Sequence, residues 1–179
     1  TLTRELKRRG VNVIARTAVD RVDTGANLGA TVHYRQGDSD EDRTAYGEVV
    51  LAAIGRVPNT DADWFRSSGL KLDERGYVTV DGYGRTNLDG VWALGDITPG
   101  HALAHRAFEQ GITIAEKIAG ADPKPVIDDT VPQVVFSFPE AASVGLTLDQ
   151  AKAREDVVEP KETAYPMLSN ARMLMSGEG

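Results

Sequence analysis

The sequence predicts an α/β chain, and three observations point there. Two unbroken apolar runs, Val49-Val50-Leu51-Ala52-Ala53-Ile54 and Val91-Trp92-Ala93-Leu94, each end in glycine, at Gly55 and at Gly95-Asp96. Runs of this kind fit strands covered on both faces, as in a parallel sheet. The second run leads through Thr98-Pro99-Gly100 into the longest helical pattern of the chain. There Leu103, Ala104, Ala107, Phe108, Ile112, Ala115, Ile118 and Ala119 recur at helical spacing, and Gly120 closes it. The texture then changes at Ala121-Asp122-Pro123-Lys124-Pro125, which reads as an inter-domain linker.

Taken in order, Leu2 to Arg9 is rich in helix formers and ends in Lys7-Arg8-Arg9-Gly10, cations then glycine, a helix stop. The basic cluster Arg4, Lys7, Arg8 and Arg9 reads as a solvated helix end rather than a phosphate site. Val11–Ile14, Ala18–Val22 and Ala30–Tyr34 read as short strands, the last with a glycine-containing turn before it, and Asp38 to Arg43 as a solvated loop or hairpin tip. After Val49–Ile54, Pro58 bars regular continuation. Asp73–Gly76 is a turn, Tyr77–Val80 a strand, Asn87–Gly90 a turn, and Val91–Leu94 a buried strand. Beyond the linker, Gln133–Phe138, Ala142–Leu146 and Val157–Pro166 read as strands, and Thr147-Leu148-Asp149-Gln150 is a capping box opening a helix.

Composition narrows the function classes. The 179 residues carry Lys+Arg 20 against Asp+Glu 27, a net charge of −7, with 41% apolar residues and no cysteine. This is ordinary for a soluble globular protein, and a chain this long can bury about 70% of its unfolded surface. The apolar runs are too short to span a membrane. Without cysteine there is no disulfide framework, thiolate metal site or cysteine nucleophile. The acidic balance argues against binding nucleic acid, which needs clustered positive charge. Nothing reads as a signal peptide, consistent with a cytoplasmic protein. The chain begins at Thr1 and stops in the polar stretch Met175–Gly179, so both ends are expected to be cut from something longer.

Chemistry is expected at the unit strand–Gly95-Asp96–loop–helix. Ligands of open α/β sheets bind beyond the carboxyl ends of strands, where Asp96 lies. Gly95 lets a ligand approach the backbone, and an aspartate there can accept hydrogen bonds from sugar or polyol hydroxyls. The helix expected to start near Ala102 would turn its unpaired N–H groups toward an electron-rich ligand atom. The alternative is that Asp96 caps its loop. The second unit, Ala53-Ile54-Gly55-Arg56-Val57-Pro58-Asn59, either passes close to a nucleotide at Gly55 or is a tight exit turn. Met167, Met173 and Met175 read as packing residues, and Trp64-Phe65 and Trp92 as core. Asp61, Asp63 and Asp128-Asp129 lack histidines at metal-ligand spacing.

Together these units resemble the FAD-dependent pyridine nucleotide–disulfide oxidoreductases. The resemblance rests on Ala-Ile-Gly-Arg-Val-Pro-Asn at 53–59, Gly76-Tyr-Val-Thr-Val-Asp81, Arg85-Thr86 and Gly90-Val-Trp-Ala-Leu-Gly-Asp96. It continues in Pro132-Gln-Val-Val-Phe-Ser-Phe-Pro-Glu140 and Ala142-Ser-Val-Gly-Leu-Thr147, so it covers about residues 48–150. Within the family, Leu103-Ala104-His105-Arg106-Ala107 is similar to the dihydrolipoyl dehydrogenase branch. Phe138 stands before Pro139-Glu140 where many relatives carry histidine.

The resemblance implies pieces of FAD- and NAD(P)-binding Rossmann-like domains followed by the start of an α+β dimerisation domain. Residues 1–58 would end the NAD-binding domain, 59–121 would be the returning part of the FAD-binding domain, and 122–179 would begin the interface domain. Asp96 would hydrogen-bond the ribityl chain of FAD. The backbone of Ala102, Leu103, Ala104 and His105 would border the flavin ring. Gly55 would lie against NAD(H), and Val19 would meet its adenine side through the backbone. The implied parent is a homodimer that oxidises dihydrolipoamide through a redox disulfide and FAD to reduce NAD⁺, in the setting of a 2-oxoacid dehydrogenase complex. No catalytic residue and no metal site is expected within these 179 residues. The glycine fingerprints, the redox cysteine pair and the His-Pro base are absent here and would lie before Thr1 or after Gly179; His33, His101 and His105 lack the context of that base. Alternatives are a mercuric or mycothione-type reductase, a soluble transhydrogenase, or a non-catalytic FAD/NAD-binding module.

Overall fold

The computed structural model describes residues 2–25 and 29–177. They fall into two compact units, Thr1–Val126 with Val134–Ala142, and Ile127–Gln133 with Ser143–Gly179.

The first unit opens with α1 (Leu2–Arg8), whose Glu5 pairs with Arg8 at 2.9 Å. Gly10 takes φ +83, and its N–H donates to Lys7 O at 3.0 Å, the expected glycine stop. An antiparallel sheet follows in the order β1 (Thr17–Thr24), β2 (Ala30–Gln36), β3 (Arg43–Gly47). Ala18–Val22 and Ala30–Tyr34 are strands as expected, and 38–42 is the connection to β3. The turn expected before β2 includes residues 26–28, outside the described residues. Val11–Ile14 is not a strand. The chain leaves α1 through a bond from Val11 N to Leu6 O at 3.0 Å and then runs on without a ladder partner.

The largest correction concerns Val49–Ile54. It is irregular and open to solvent: Val49 is 86%, Leu51 87% and Ile54 95% exposed. A strand exists only through pairing, and no strand among the described residues pairs with this run. Its apolar pattern specifies faces that want covering without supplying the cover.

After the short α2 (Asp63–Arg66), the chain makes two tight reversals. Asp73 Oδ1 accepts the N–H groups of Arg75 and Tyr77, both at 2.9 Å, and Asp81 Oδ1 accepts those of Tyr83 and Arg85 at 2.8 and 2.9 Å. These are the aspartate-seeded turns that such residues favour. Tyr77–Val80 and Val91–Leu94 therefore form single bridges, Leu72 to Val78 and Arg85 to Trp92, rather than strands. Val91 and Leu94 remain more than a third exposed, while Ala93 is buried. The core here is Phe65, Val78 and Ala93, with Leu70, Val80 and Ile97 packed against it. Trp64 lies outside it, 71% exposed and edge-on to Phe65 at 5.2 Å.

Helix α3 (Ala104–Ile118) is the expected long helix, begun two residues later than the sequence suggested. Arg106, Thr113 and Ile114 are buried on one face, while Phe108, Ile112 and Ile118 on the other are more than half exposed. Strands β4 (Gln133–Val135) and β5 (Ala141–Ser143) pair with each other and are shorter than expected; Gly145 at φ +83 turns the chain away after β5.

In the second unit, the capping box opens α4 (Leu148–Lys152) as the sequence predicts. Thr147 N donates to Gln150 Oε1 at 2.9 Å, and Gln150 N donates to Thr147 Oγ1 at 3.3 Å. Val157–Pro166 is not a strand, because Glu159 takes φ +47, which breaks an extended run. Helix α5 (Ala171–Ser176) follows, and Met167 and Met175, expected to pack, are 54% and 81% exposed.

Candidate functional site

The site is the 3-10 turn Gly95–Ile97 and the start of α3. Gly95 is buried at φ +73, a conformation open mainly to glycine. Its N–H donates to Gln110 Oε1 of α3 at 2.9 Å. Its carbonyl accepts from Thr98 N at 3.0 Å and Thr98 Oγ1 at 2.8 Å. On the far side, Ile97 O accepts from Val78 N at 2.8 Å. Both neighbours of Asp96 are thus anchored, while Asp96 itself is exposed and its carboxylate makes no hydrogen bond or ion pair among the described residues. It does not cap its own turn.

The helix end is built in the same way. Arg106, 5% exposed, donates from Nη2 to Pro99 O at 2.6 Å and so holds the 98–103 connection against α3. Leu103 at the N-cap provides no side-chain cap, and the partial positive charge of a helix start collects at this end. Ala102, Ala104 and His105 are exposed and Leu103 is half-buried. An unengaged carboxylate beside a glycine turn and an uncapped helix start suits a polyhydroxylated ligand. The hydroxyls would donate to Asp96, and an electron-rich edge would meet the helix end.

The other two expected positions lie apart from this turn. Val19 sits in β1 opposite Tyr34, beside the irregularity between Val19 and Arg21, and is 58% exposed. Gly55 takes φ +128 with open space where a side chain would begin. No hydrogen bond joins either position to Asp96.

His33 lies on β2 with Nε2 2.9 Å from Asp23 Oδ2 and Nδ1 3.3 Å from Asp42 Oδ2. Among the described residues no group of three His, Asp or Glu is placed to hold a metal, and no helix is long and apolar enough to cross a membrane. The shifted ionisations belong to exposed pairs away from the site. Hydrogen bonding from Arg35 holds the Asp20 carboxyl below its ordinary value, and Arg154 does the same for Asp156. Gln110, Thr98 and Arg106 were not singled out from sequence. The one available signal was a polar residue at 106 and at 110 in step with Leu103, Ala107 and Ile114.

Comparison with known proteins decides the family. The sequence profile described as pyridine nucleotide-disulphide oxidoreductase matches residues 1–111. The chain belongs to the pyridine nucleotide-disulphide oxidoreductase family. It is 39% identical over 175 residues to the dihydrolipoyl dehydrogenase of Cupriavidus necator, covering 97% of this chain and 36% of that protein. It is 40% identical over 178 residues to the dihydrolipoyl dehydrogenase of Geobacillus stearothermophilus, again with 97% and 36% coverage. In structure it is similar to LpdA from Mycobacterium tuberculosis, with a TM-score of 0.82, 31% identity, and coverage of 98% of this chain and 37% of that one. The chain therefore spans about a third of the length of the curated relatives it matches. The family works with FAD and NAD(H), and the mixed helix–sheet architecture is that of its cofactor-binding fold.

Proposed function

We propose that this chain is an internal third of a dihydrolipoyl dehydrogenase, a flavoprotein that oxidises dihydrolipoamide to its disulfide and passes the two electrons to NAD⁺. The observation that carries the reading is the near-complete alignment of the chain with two such enzymes at 39–40% identity. FAD supplies the electron transfer when bound, and the residues of this chain bind and orient. The Asp96 carboxylate accepts hydrogen bonds from the ribityl hydroxyls. The backbone of Ala102, Leu103, Ala104 and His105 borders the flavin ring. Gly55 lies against NAD(H), and Val19 meets the adenine side. The residues present fit the cofactor, because Asp96 is held out by its anchored neighbours with its carboxylate unengaged.

In this reading residues 1–58 end the NAD domain, 59–121 belong to the FAD domain, and 122–179 begin the dimer-interface domain. The parent is a cytoplasmic homodimer serving a 2-oxoacid dehydrogenase complex. The 179-residue chain alone is inactive, since it has no cysteine to form the redox disulfide.

The test is to purify the full-length protein and measure bound flavin and dihydrolipoamide-dependent NAD⁺ reduction, with Asp96→Asn beside the wild type. The reading expects bound FAD, turnover, and loss of FAD affinity on the order of tenfold or more in Asp96→Asn, since a charge-assisted hydrogen bond contributes roughly 1.5–3 kcal/mol. Absence of flavin, or turnover by the isolated 179 residues, overturns it.

A further inference from the structure

We propose that Gln110 is the positioning residue of the FAD site, acting through Gly95 on Asp96; the role rests on the flavin reading given above. Gln110 stands on α3 in step with Leu103, Ala107 and Ile114. Its Oε1 takes the Gly95 N–H at 2.9 Å. Gly95 is buried, so this N–H is cut off from bulk water and needs a protein acceptor. Gln110 is the acceptor this amide has among the described residues.

Helix and turn are also in close steric contact. A Cβ on Gly95 would stand 3.3 Å from Ala107 Cβ, one turn before Gln110, and one on Gly111 would stand 3.9 Å from Leu94 Cδ2. α3 thus lies against Leu94 and the turn through Ala107, Gln110 and Gly111, and among the described residues only Gln110 of these makes a hydrogen bond to it. Thr98 fixes the Gly95 carbonyl from the opposite side. Gln110 thus holds the Leu94–Gly95 peptide and Thr98 holds the Gly95–Asp96 peptide, so both torsions of Gly95 are fixed before the chain reaches Asp96. With the amide released, the Leu94–Gly95 peptide can rotate, and the turn that carries Asp96 keeps its Thr98 anchor but loses its link to α3.

The experiment has two readouts. Amide hydrogen exchange at Gly95 in the full-length protein stripped of flavin reports the latch without any cofactor. FAD dissociation constants and the visible flavin absorption bands of the full-length protein report the positioning. Gln110→Leu removes the acceptor, Gln110→Met removes it at nearly unchanged length, and Gln110→Glu keeps it. Losing one buried hydrogen bond should raise Gly95 exchange and weaken FAD binding each on the order of tenfold in Gln110→Leu and Gln110→Met. Gln110→Glu should restore the protection and most of the affinity. Unchanged Gly95 protection in both Gln110→Leu and Gln110→Met overturns the latch. Faster exchange with unchanged FAD affinity and bands, while Asp96→Asn weakens FAD, overturns the positioning role alone. Asp96→Asn leaving FAD affinity untouched overturns the flavin reading and the positioning role with it.

Discussion

Replacing Gly84 with alanine tests how closely the two arms of the reversal at 81–93 approach each other beneath Ile114 of α3. Gly84 takes φ +76, a conformation that costs an L-residue about 1–2 kcal/mol. A Cβ there would stand 2.7 Å from Ile114 Cδ1 and 2.9 Å from Ala93 O. The methyl end of Ile114 can turn aside. The Ala93 carbonyl is backbone, and Ala93 N donates to Gly84 O at 2.9 Å across the same pair of segments, so moving it strains that bond. Overpacking of this kind costs about 1–3 kcal/mol. The sum is about 2–5 kcal/mol. Gly90→Ala is the control: φ +72, but open space around the new methyl, so only the conformational cost applies. Urea unfolding followed by tryptophan fluorescence, with Trp92 on the facing segment as reporter, should place Gly84→Ala below Gly90→Ala by about 1–3 kcal/mol. Equal costs would refute the close approach of the Gly84 and Ala93 segments.

Other outcomes are expected in the rest of the chain. Leu51 is 87% exposed, so Leu51→Lys should change stability by less than about 0.5 kcal/mol while raising the concentration at which light scattering reports aggregation; a marked loss of stability would mean that the run is buried. The folded-state ionisation of Asp20 is depressed, chiefly by its hydrogen bond from Arg35. The contribution of that pair is fully present above the ordinary carboxylate value of 3.8 and is lost as pH falls through the lower folded value. Denaturant midpoints of wild type and Asp20→Asn should therefore differ near neutrality, converge on acidification, and draw together in high salt; a pH-independent gap would contradict this. Thr147→Ala removes the Oγ1 acceptor of the Gln150 amide, and exchange of that amide should rise about fivefold, a cap contributing roughly 1 kcal/mol.

What the sequence determined by itself is local. The glycine stop at Gly10, the capping box at Thr147, the aspartate-seeded turn at 73–76 and the long amphipathic α3 depend on residues within one or two turns of each other, and each forms where the pattern put it. The family was legible too, because its motifs are backbone-approach positions such as Gly95-Asp96 whose identity is fixed by close contact.

The strands expected at Val49–Ile54, Tyr77–Val80 and Val157–Pro166 did not form. An apolar run states that a face wants covering, but pairing needs a partner placed by the rest of the fold, and the described residues supply none for Val49–Ile54. The three-residue set that holds Asp96 outward belongs to the same class. Thr98 is close in sequence, but Val78 and Gln110 reach the turn from 18 and 14 residues away respectively, counted from Asp96. Nothing in the spacing announced that a helix glutamine and the Val78 amide would meet the same turn. That meeting is set by how α3 and the reversals pack around Val78 and Ala93, because a hydrogen bond between distant segments exists only once packing has brought its donor and acceptor within reach.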